Sequence, residues 1–146
     1  MIGFEFFRKI YRSDAELTIF DVGSHHGDSV AEFLNLFSKA KIFAFEPNAE
    51  NYLWLSERLS GSPRVQLFNV AVGQEVGRVL LHKSNYNATH SLLPFNSDEI
   101  NRWADANDFH ETGMEEVEQV TLDTFCVNHG ITNIDILKLE IGRAHV

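Results

Sequence analysis

The stretch FDVGSHHGDSV, Phe20 to Val30, sets an acid, two glycines and a pair of histidines between an apolar run and the start of a helical pattern. Gly23, directly after Asp21 and Val22, lets the backbone turn without a Cβ. Gly27, at the helix entrance, opens the first free N–H groups to a ligand. Those groups carry the positive end of the helix dipole, so a carboxylate or a phosphate is their natural partner. Asp21 has the opposite need, because a carboxylate at a strand's carboxyl end accepts from an ammonium or a bound water. An amino-acid moiety therefore fits better than a bare phosphate. Glu46 closes the run KIFAFE about 20 residues beyond Gly27, where doubly wound nucleotide-binding folds keep an acid for the ribose diol. Ribose plus amino acid points to S-adenosylmethionine. A dinucleotide matches less well, since its loop needs a middle glycine for close approach to pyrophosphate and His25 stands there.

Each feature has a plainer reading beside it. A G-x-x-x-G after a strand serves packing alone in many α/β turns, and an isolated Glu46 would be a solvated strand-end acid. Their combination at this spacing is what accounts for two ends of one nucleotide. His25 and His26 are adjacent, so their rings are expected to point apart, which is poor spacing for one metal, and no metal site is expected. Loop or substrate contacts suit them better. His90, which precedes SLL in a polar loop, is a candidate general base, against the plainer role of a surface hydrogen-bonding residue. Cys126 reads as a small core residue. Trp54 and Trp103 read as packing aromatics, with Trp103 also able to stack on a sugar face.

The elements that must position these groups alternate two periods. LTIFDVG (Leu17 to Gly23), KIFAFEP (Lys41 to Pro47) and VQLFNVAVG (Val65 to Gly73) are short apolar runs of the kind found in strands buried on both faces. Val30, Phe33, Leu34 and Phe37 fall at i, i+3, i+4 and i+7, predicting a crossover helix, with Ser29 and Glu32 as its capping box. Asn48 is placed to cap a second helix whose Tyr52, Leu55 and Leu59 face inward and which Gly61 ends. This β-α-β-α-β order, with right-handed crossovers, gives an α/β fold, a Rossmann-like doubly wound and mostly parallel sheet. Before it, Phe4, Phe7 and Tyr11 at helical spacing predict a leading helical segment over residues 1–16. After it, GRVLLHKS (Gly77 to Ser84) reads as a strand able to pair antiparallel on Val65 to Gly73. Asn85 to Gly113 is polar, with one short helix around Asp98 to Asp108, and reads as a loop near a substrate. EEVEQVTL (Glu115 to Leu122) reads as a strand, DTFCVNHG (Asp123 to Gly130) as a short helix and IDILKL (Ile134 to Leu139) as the next buried strand.

The whole chain has 146 residues, 44% of them hydrophobic, and 12 Phe, enough for one sizeable core. Its 21 acidic against 12 basic residues give a formal charge of −9, which opposes nucleic acid and anionic membranes as partners. One cysteine, with no apolar leader or membrane-length span, reads as a cytoplasmic, soluble chain.

FDVGSHHGDSVAEF, FAFEPNAENYLWL, VQLFNVAVGQEVGRVLLH, HSLL and VTLDTFCVNHGITNIDILKL together resemble, in order, the FkbM-type methyltransferases, a branch of the class I S-adenosylmethionine-dependent enzymes. The resemblance covers nearly all of Ile19 to Leu139. It implies methyl transfer to a hydroxyl of a sugar, glycan or polyketide-like small molecule, with S-adenosyl-L-methionine as cofactor. Asp21, Gly23 and Gly27 would then form the methionine-side loop, Glu46 would bind ribose, and Asn69 to Ala71 would lie beside adenine. The family continues with an acid, often Asp, and further strands, whereas this chain ends EIGRAHV. That tail resembles a translated sequencing-adapter read-through. The expectation is that 17–139 form a partial methyltransferase domain and 140–146 a foreign tail, with Glu140 standing in for the family's acid as a candidate catalytic group. Two other readings stay open at this stage: a nucleotide-binding oxidoreductase domain of the NAD type, and a truncated fragment without catalysis. The acceptor and the oligomeric state are not encoded in any motif here.

Overall fold

The structure is a computed structural model whose described residues are 3–84 and 111–140. His90, Trp103 and the helix expected around Asp98 to Asp108 lie outside them. Four parallel strands form the main sheet, β1 (Thr18–Val22), β2 (Lys41–Phe45), β3 (Val65–Phe68) and β7 (Ile136–Leu139), in the order β3-β2-β1-β7. The register runs from Thr18 opposite Lys41 to Val22 opposite Phe45, and from Ile19 opposite Ile136 to Val22 opposite Leu139.

Side chains alternate across this sheet and each face has its own core. Ile19, Ile42 and Ala44 share one face with Val30, Phe33 and Leu36 of α1 (Asp28–Leu36) and Leu55 and Leu59 of α2 (Ala49–Leu59). Phe20, Val22, Phe43 and Phe45 share the other with Phe125 of α3 (Leu122–His129). There the rings meet edge to face, Phe125 lying 4.8 Å from both Phe45 and Phe68, a geometry aromatic pairs prefer over a face-to-face sandwich. Apolar residues on both faces explain why β1 and β2 read as continuous hydrophobic runs. The expected doubly wound α/β architecture is what the chain adopts.

The leading segment forms a 3₁₀ helix, Phe4–Lys9, rather than an α-helix; Phe4, Phe7 and Tyr11 nonetheless pack on the core, with Phe4 and Phe33 edge to face at 5.0 Å. The capping box expected at Ser29 and Glu32 does not form. The N-cap of α1 is Gly27, and the Ser29 hydroxyl donates to Asp21 instead. On α2 the buried residues are Asn51, Leu55 and Leu59, with Tyr52 half-buried. Its expected cap is present: the Asn48 side chain accepts from the Asn51 N–H at 2.9 Å. Asn48→Ala is expected to cost about 1 kcal/mol of stability in thermal unfolding, typical of a lost N-cap.

Larger corrections concern the second half. The run Val65 to Gly73 is not one strand: it breaks at Asn69 into β3 and β4 (Ala71–Val72), which belong to different sheets. The Asn69 amide bends the chain by donating to the carbonyls of Glu46 at 2.9 Å and Pro47 at 3.1 Å. β5 (Gly77–Ser84) pairs antiparallel with β6 (Glu111–Val120), not with β3, and β4 pairs parallel with the other edge of β6, giving a second sheet of order β4-β6-β5. β6 starts inside the segment read as loop, and Leu122, read as strand, opens α3. Gly130 ends α3 in the left-handed conformation, as expected of a C-terminal glycine.

Candidate functional site

The first three strands of the main sheet step outward in one direction, β1 to β2 to β3, and β7 then returns to the other side of β1. The crevice at the carboxyl ends of β1 and β7 is thus the topological switch point, the place where open α/β sheets bind ligands. Asp21, Gly23 and Gly27 lie on β1 and the turn beyond it; Glu46 follows β2 and Glu140 follows β7.

Asp21 is fully buried. One carboxylate oxygen accepts from the Ser29 hydroxyl and the other from the Lys138 ammonium at 3.1 Å. The same ammonium lies 3.3 Å from the Gly23 carbonyl oxygen and 3.3 Å from the Glu140 carboxylate. Lys138 is directly opposite Asp21 in the β1–β7 register, so the contact follows from the strand pairing. No sequence motif singled it out.

Glu46 is also buried, and it holds two turns together. It accepts from the His25 N–H at 2.8 Å and from the Asn48 N–H at 3.0 Å, tying the β1–α1 turn to the start of α2. Burial pushes its carboxyl up from the ordinary glutamate range, against the backbone donors of Asn48 and His25, the Asn51 side chain and the His26 charge, which pull it down. Glu115 of β6 braces the same corner from the second sheet, accepting from the Asn48 amide at 3.0 Å and the Ala49 N–H at 3.1 Å. A carboxylate at a helix N-terminus is well placed against the dipole.

The two turn glycines are needed for reasons that differ from the expectation in part. Gly23 has φ +79°, and a Cβ there would strike the Glu140 carbonyl oxygen. Gly27 has φ +86°, and its bare face lies against a side chain: an added Cβ would come 2.7 Å from Leu55 Cδ1. Close packing of the start of α1 on α2 explains this glycine.

The histidine pair is a second correction. Because His25 adopts φ 56°, the two rings do not diverge but lie against each other, tilted by 31° with centroids 4.1 Å apart. His26 packs in turn against Trp54, tilted by 35° at 4.7 Å, and the Arg58 guanidinium lies 5.6 Å from the Trp54 ring. Arg58 also donates to Asp28 at 2.7 Å and holds that carboxyl below its ordinary range. Among the described residues no group of three or more His, Cys, Asp or Glu is placed to hold a metal.

The remaining sequence candidates fall as follows. Asn69 is exposed and occupied with the turn after β2, while Ala71 is buried in the small core of the second sheet with Leu81 and Val117. Cys126 is half-buried against the aromatic face, and burial, with Asp123 nearby, pushes its thiol up. His90 lies outside the described residues. Among those residues no helix is long and apolar enough to cross a membrane.

The model of the methyltransferase FkbM domain matches residues 21–141. The chain belongs to this methyltransferase family. It is similar to the 2-O-methyltransferase NoeI of Sinorhizobium fredii (strain NBRC 101917 / NGR234), with 28% identity over 134 residues. That match covers 86% of this chain and 53% of NoeI, so the chain spans about half the length of the relative it matches. A crystal structure assigned to an rRNA-methylase of Clostridium thermocellum shares 17% identity at a TM-score of 0.38, over 44% of this chain and 37% of that one, too slight a likeness to carry any argument.

Proposed function

We propose that the chain is the cofactor-binding part of an S-adenosylmethionine-dependent O-methyltransferase whose acceptor is a hydroxyl of a sugar, glycan or polyketide-like small molecule. The observation that carries the reading is the pair of buried carboxylates, Asp21 and Glu46, at the carboxyl ends of adjacent parallel strands beside the switch point. The family and the 2-O-methyltransferase name of the relative support methyl transfer to oxygen.

The donor set fits an amino-acid nucleoside. Glu46 offers about four lone-pair positions, of which the two backbone N–H groups and the Asn51 side chain occupy only part, so it keeps acceptor capacity for a ribose diol. Gly23, with its carbonyl in the crevice, and Asp21 bound the methionine end. Gly27 sets the start of α1. Asn69 and Ala71, one bracing the turn after β2 and the other ordering the second sheet, form the adenine side. When bound, the cofactor supplies an electrophilic methyl on a sulfonium. The protein then has to orient the acceptor oxygen and receive its proton. The candidates for that role are Glu140, at the end of β7 and paired with Lys138, and His90, which lies outside the described residues.

Calorimetric titration with S-adenosylmethionine, run beside NAD, tests the reading. Micromolar-range binding of S-adenosylmethionine with none of NAD is expected; a folded chain that takes up NAD and ignores S-adenosylmethionine would refute it.

A further inference from the structure

We infer that Lys138 selects the ligand's amino-acid end by its carboxylate, an inference that rests on the cofactor reading above. The observation is an ammonium already seated in the crevice. Lys138 Nζ lies 3.1 Å from the Asp21 carboxylate and 3.3 Å from the Gly23 carbonyl oxygen. These are the two acceptors that a ligand's amino group would use in this turn. The other Asp21 oxygen is engaged by Ser29, so each carboxylate oxygen already has a partner.

A ligand ammonium bound to Gly23 and Asp21 competes with the Lys138 ammonium for the same two acceptors. Two cations sharing the one buried Asp21 carboxylate repel each other, and Glu140, whose side chain is 64% exposed, offsets this only weakly. A carboxylate on the same ligand supplies a second anion. Lys138 has the means to yield: its side chain is 23% exposed, and the four-carbon stem of a lysine lets the ammonium move without its backbone. It then trades an internal partner for the ligand carboxylate, so every charge stays paired. A ligand that brings an ammonium and no carboxylate displaces Lys138 from Asp21 and leaves it only the exposed Glu140 carboxylate, a weak partner. The site thus discriminates between a zwitterionic amino-acid nucleoside and its decarboxylated amine. This makes Lys138 a specificity-determining residue.

The test is a matched pair of ligands titrated into the wild-type chain: S-adenosylmethionine and decarboxylated S-adenosylmethionine, with 5′-methylthioadenosine, which lacks the amino-acid end, as a third. The carboxylated ligand is expected to bind at least about tenfold more tightly than the amine, the scale of one charge-assisted hydrogen bond. In Lys138→Met that ratio should fall to about threefold or less, while 5′-methylthioadenosine binds as in wild type; Lys138→Arg, which keeps the charge, should preserve most of the ratio. The wild-type comparison stands even where Lys138→Met, which strips buried Asp21 of its cation, fails to fold. Equal affinity of wild type for the two charged ligands overturns the inference. So does a Lys138→Met variant that is weakened equally toward all three, the sign of a purely structural lysine. If none of the three binds wild type, the cofactor reading itself fails and takes this inference with it.

Discussion

Glu46→Ala is expected to abolish nucleoside binding, with the dissociation constant for S-adenosylhomocysteine rising by about a hundredfold or more, and to lower stability by about 1–3 kcal/mol. The first effect is the loss of two hydrogen bonds from a diol to an ionised acceptor, each worth about 1.5–3 kcal/mol before non-additivity. The second arises because the His25 and Asn48 N–H groups lose their acceptor in a buried corner. Glu46→Gln narrows the stability loss, since it keeps the shape and one of the two oxygens that accept from His25 and Asn48, while removing the charge. It should remain folded, by circular dichroism, and still bind far more weakly than wild type. The pH dependence carries the same signature. Burial raises the Glu46 carboxyl above its ordinary value of 4.5, so the folded state favours the protonated form. Its contribution to stability is then most favourable below 4.5 and declines as pH rises through the raised value. Binding runs the other way, because the diol needs the ionised form. Affinity should therefore fall on acidification, starting above the range of an ordinary glutamate, and this acid limb should be missing in Glu46→Gln. A folded Glu46→Ala that binds like wild type would remove Glu46 from the site.

The parts that were legible in the sequence are those set by local pattern. The two-faced apolar runs of β1 and β2, the helical spacing from Val30 to Phe37, the Asn48 cap and the Gly130 stop each depend on a few neighbouring residues, and each stands in the structure. Asp21, Gly23, Gly27 and Glu46 could be placed at strand ends, turn and helix start for the same reason, since these follow one another along the chain. What escaped depends on partners distant in sequence. Lys138 reads as one charge in a strand pattern until the register sets it opposite Asp21. Glu115 looks like part of an acidic run until β6 carries it to the start of α2. The split between β3 and β4 turns on Asn69, whose amide is captured by carbonyls more than twenty residues back, and no periodicity marks such a break. The histidine pair shows a different limit. Adjacent residues diverge in ordinary backbone, and only the left-handed φ of His25 brings the rings together.

Gly23→Ala is the substitution with the largest expected effect on stability, about 2–5 kcal/mol. Two costs add. A left-handed φ of +79° disfavours any L side chain by about 1–2 kcal/mol, and the new Cβ would collide with the Glu140 carbonyl oxygen. That carbonyl is not free to retreat. The Glu140 N–H donates to the Val22 carbonyl at 2.9 Å, and the Gly23 N–H donates to the Phe45 carbonyl at 2.9 Å, so both sides of the clash are pinned to the sheet. Relief would have to pull the end of β7 from β1, with an overpacking cost of about 1–3 kcal/mol. Gly27→Ala gives the contrast. Its φ is similar, but the added Cβ meets Leu55 Cδ1, the tip of a side chain that can rotate, so about 1–2 kcal/mol is expected. At roughly 2–4 °C per kcal/mol for a chain of this size, Gly23→Ala should melt about 4–20 °C below wild type, and below Gly27→Ala. Because the same displacement moves Lys138 and the Gly23 carbonyl, it should also weaken nucleoside binding at temperatures where the variant is fully folded. Equal melting temperatures for wild type and Gly23→Ala would mean that the strand end gives way freely, and the close approach of β7 to the turn would no longer account for a glycine at 23.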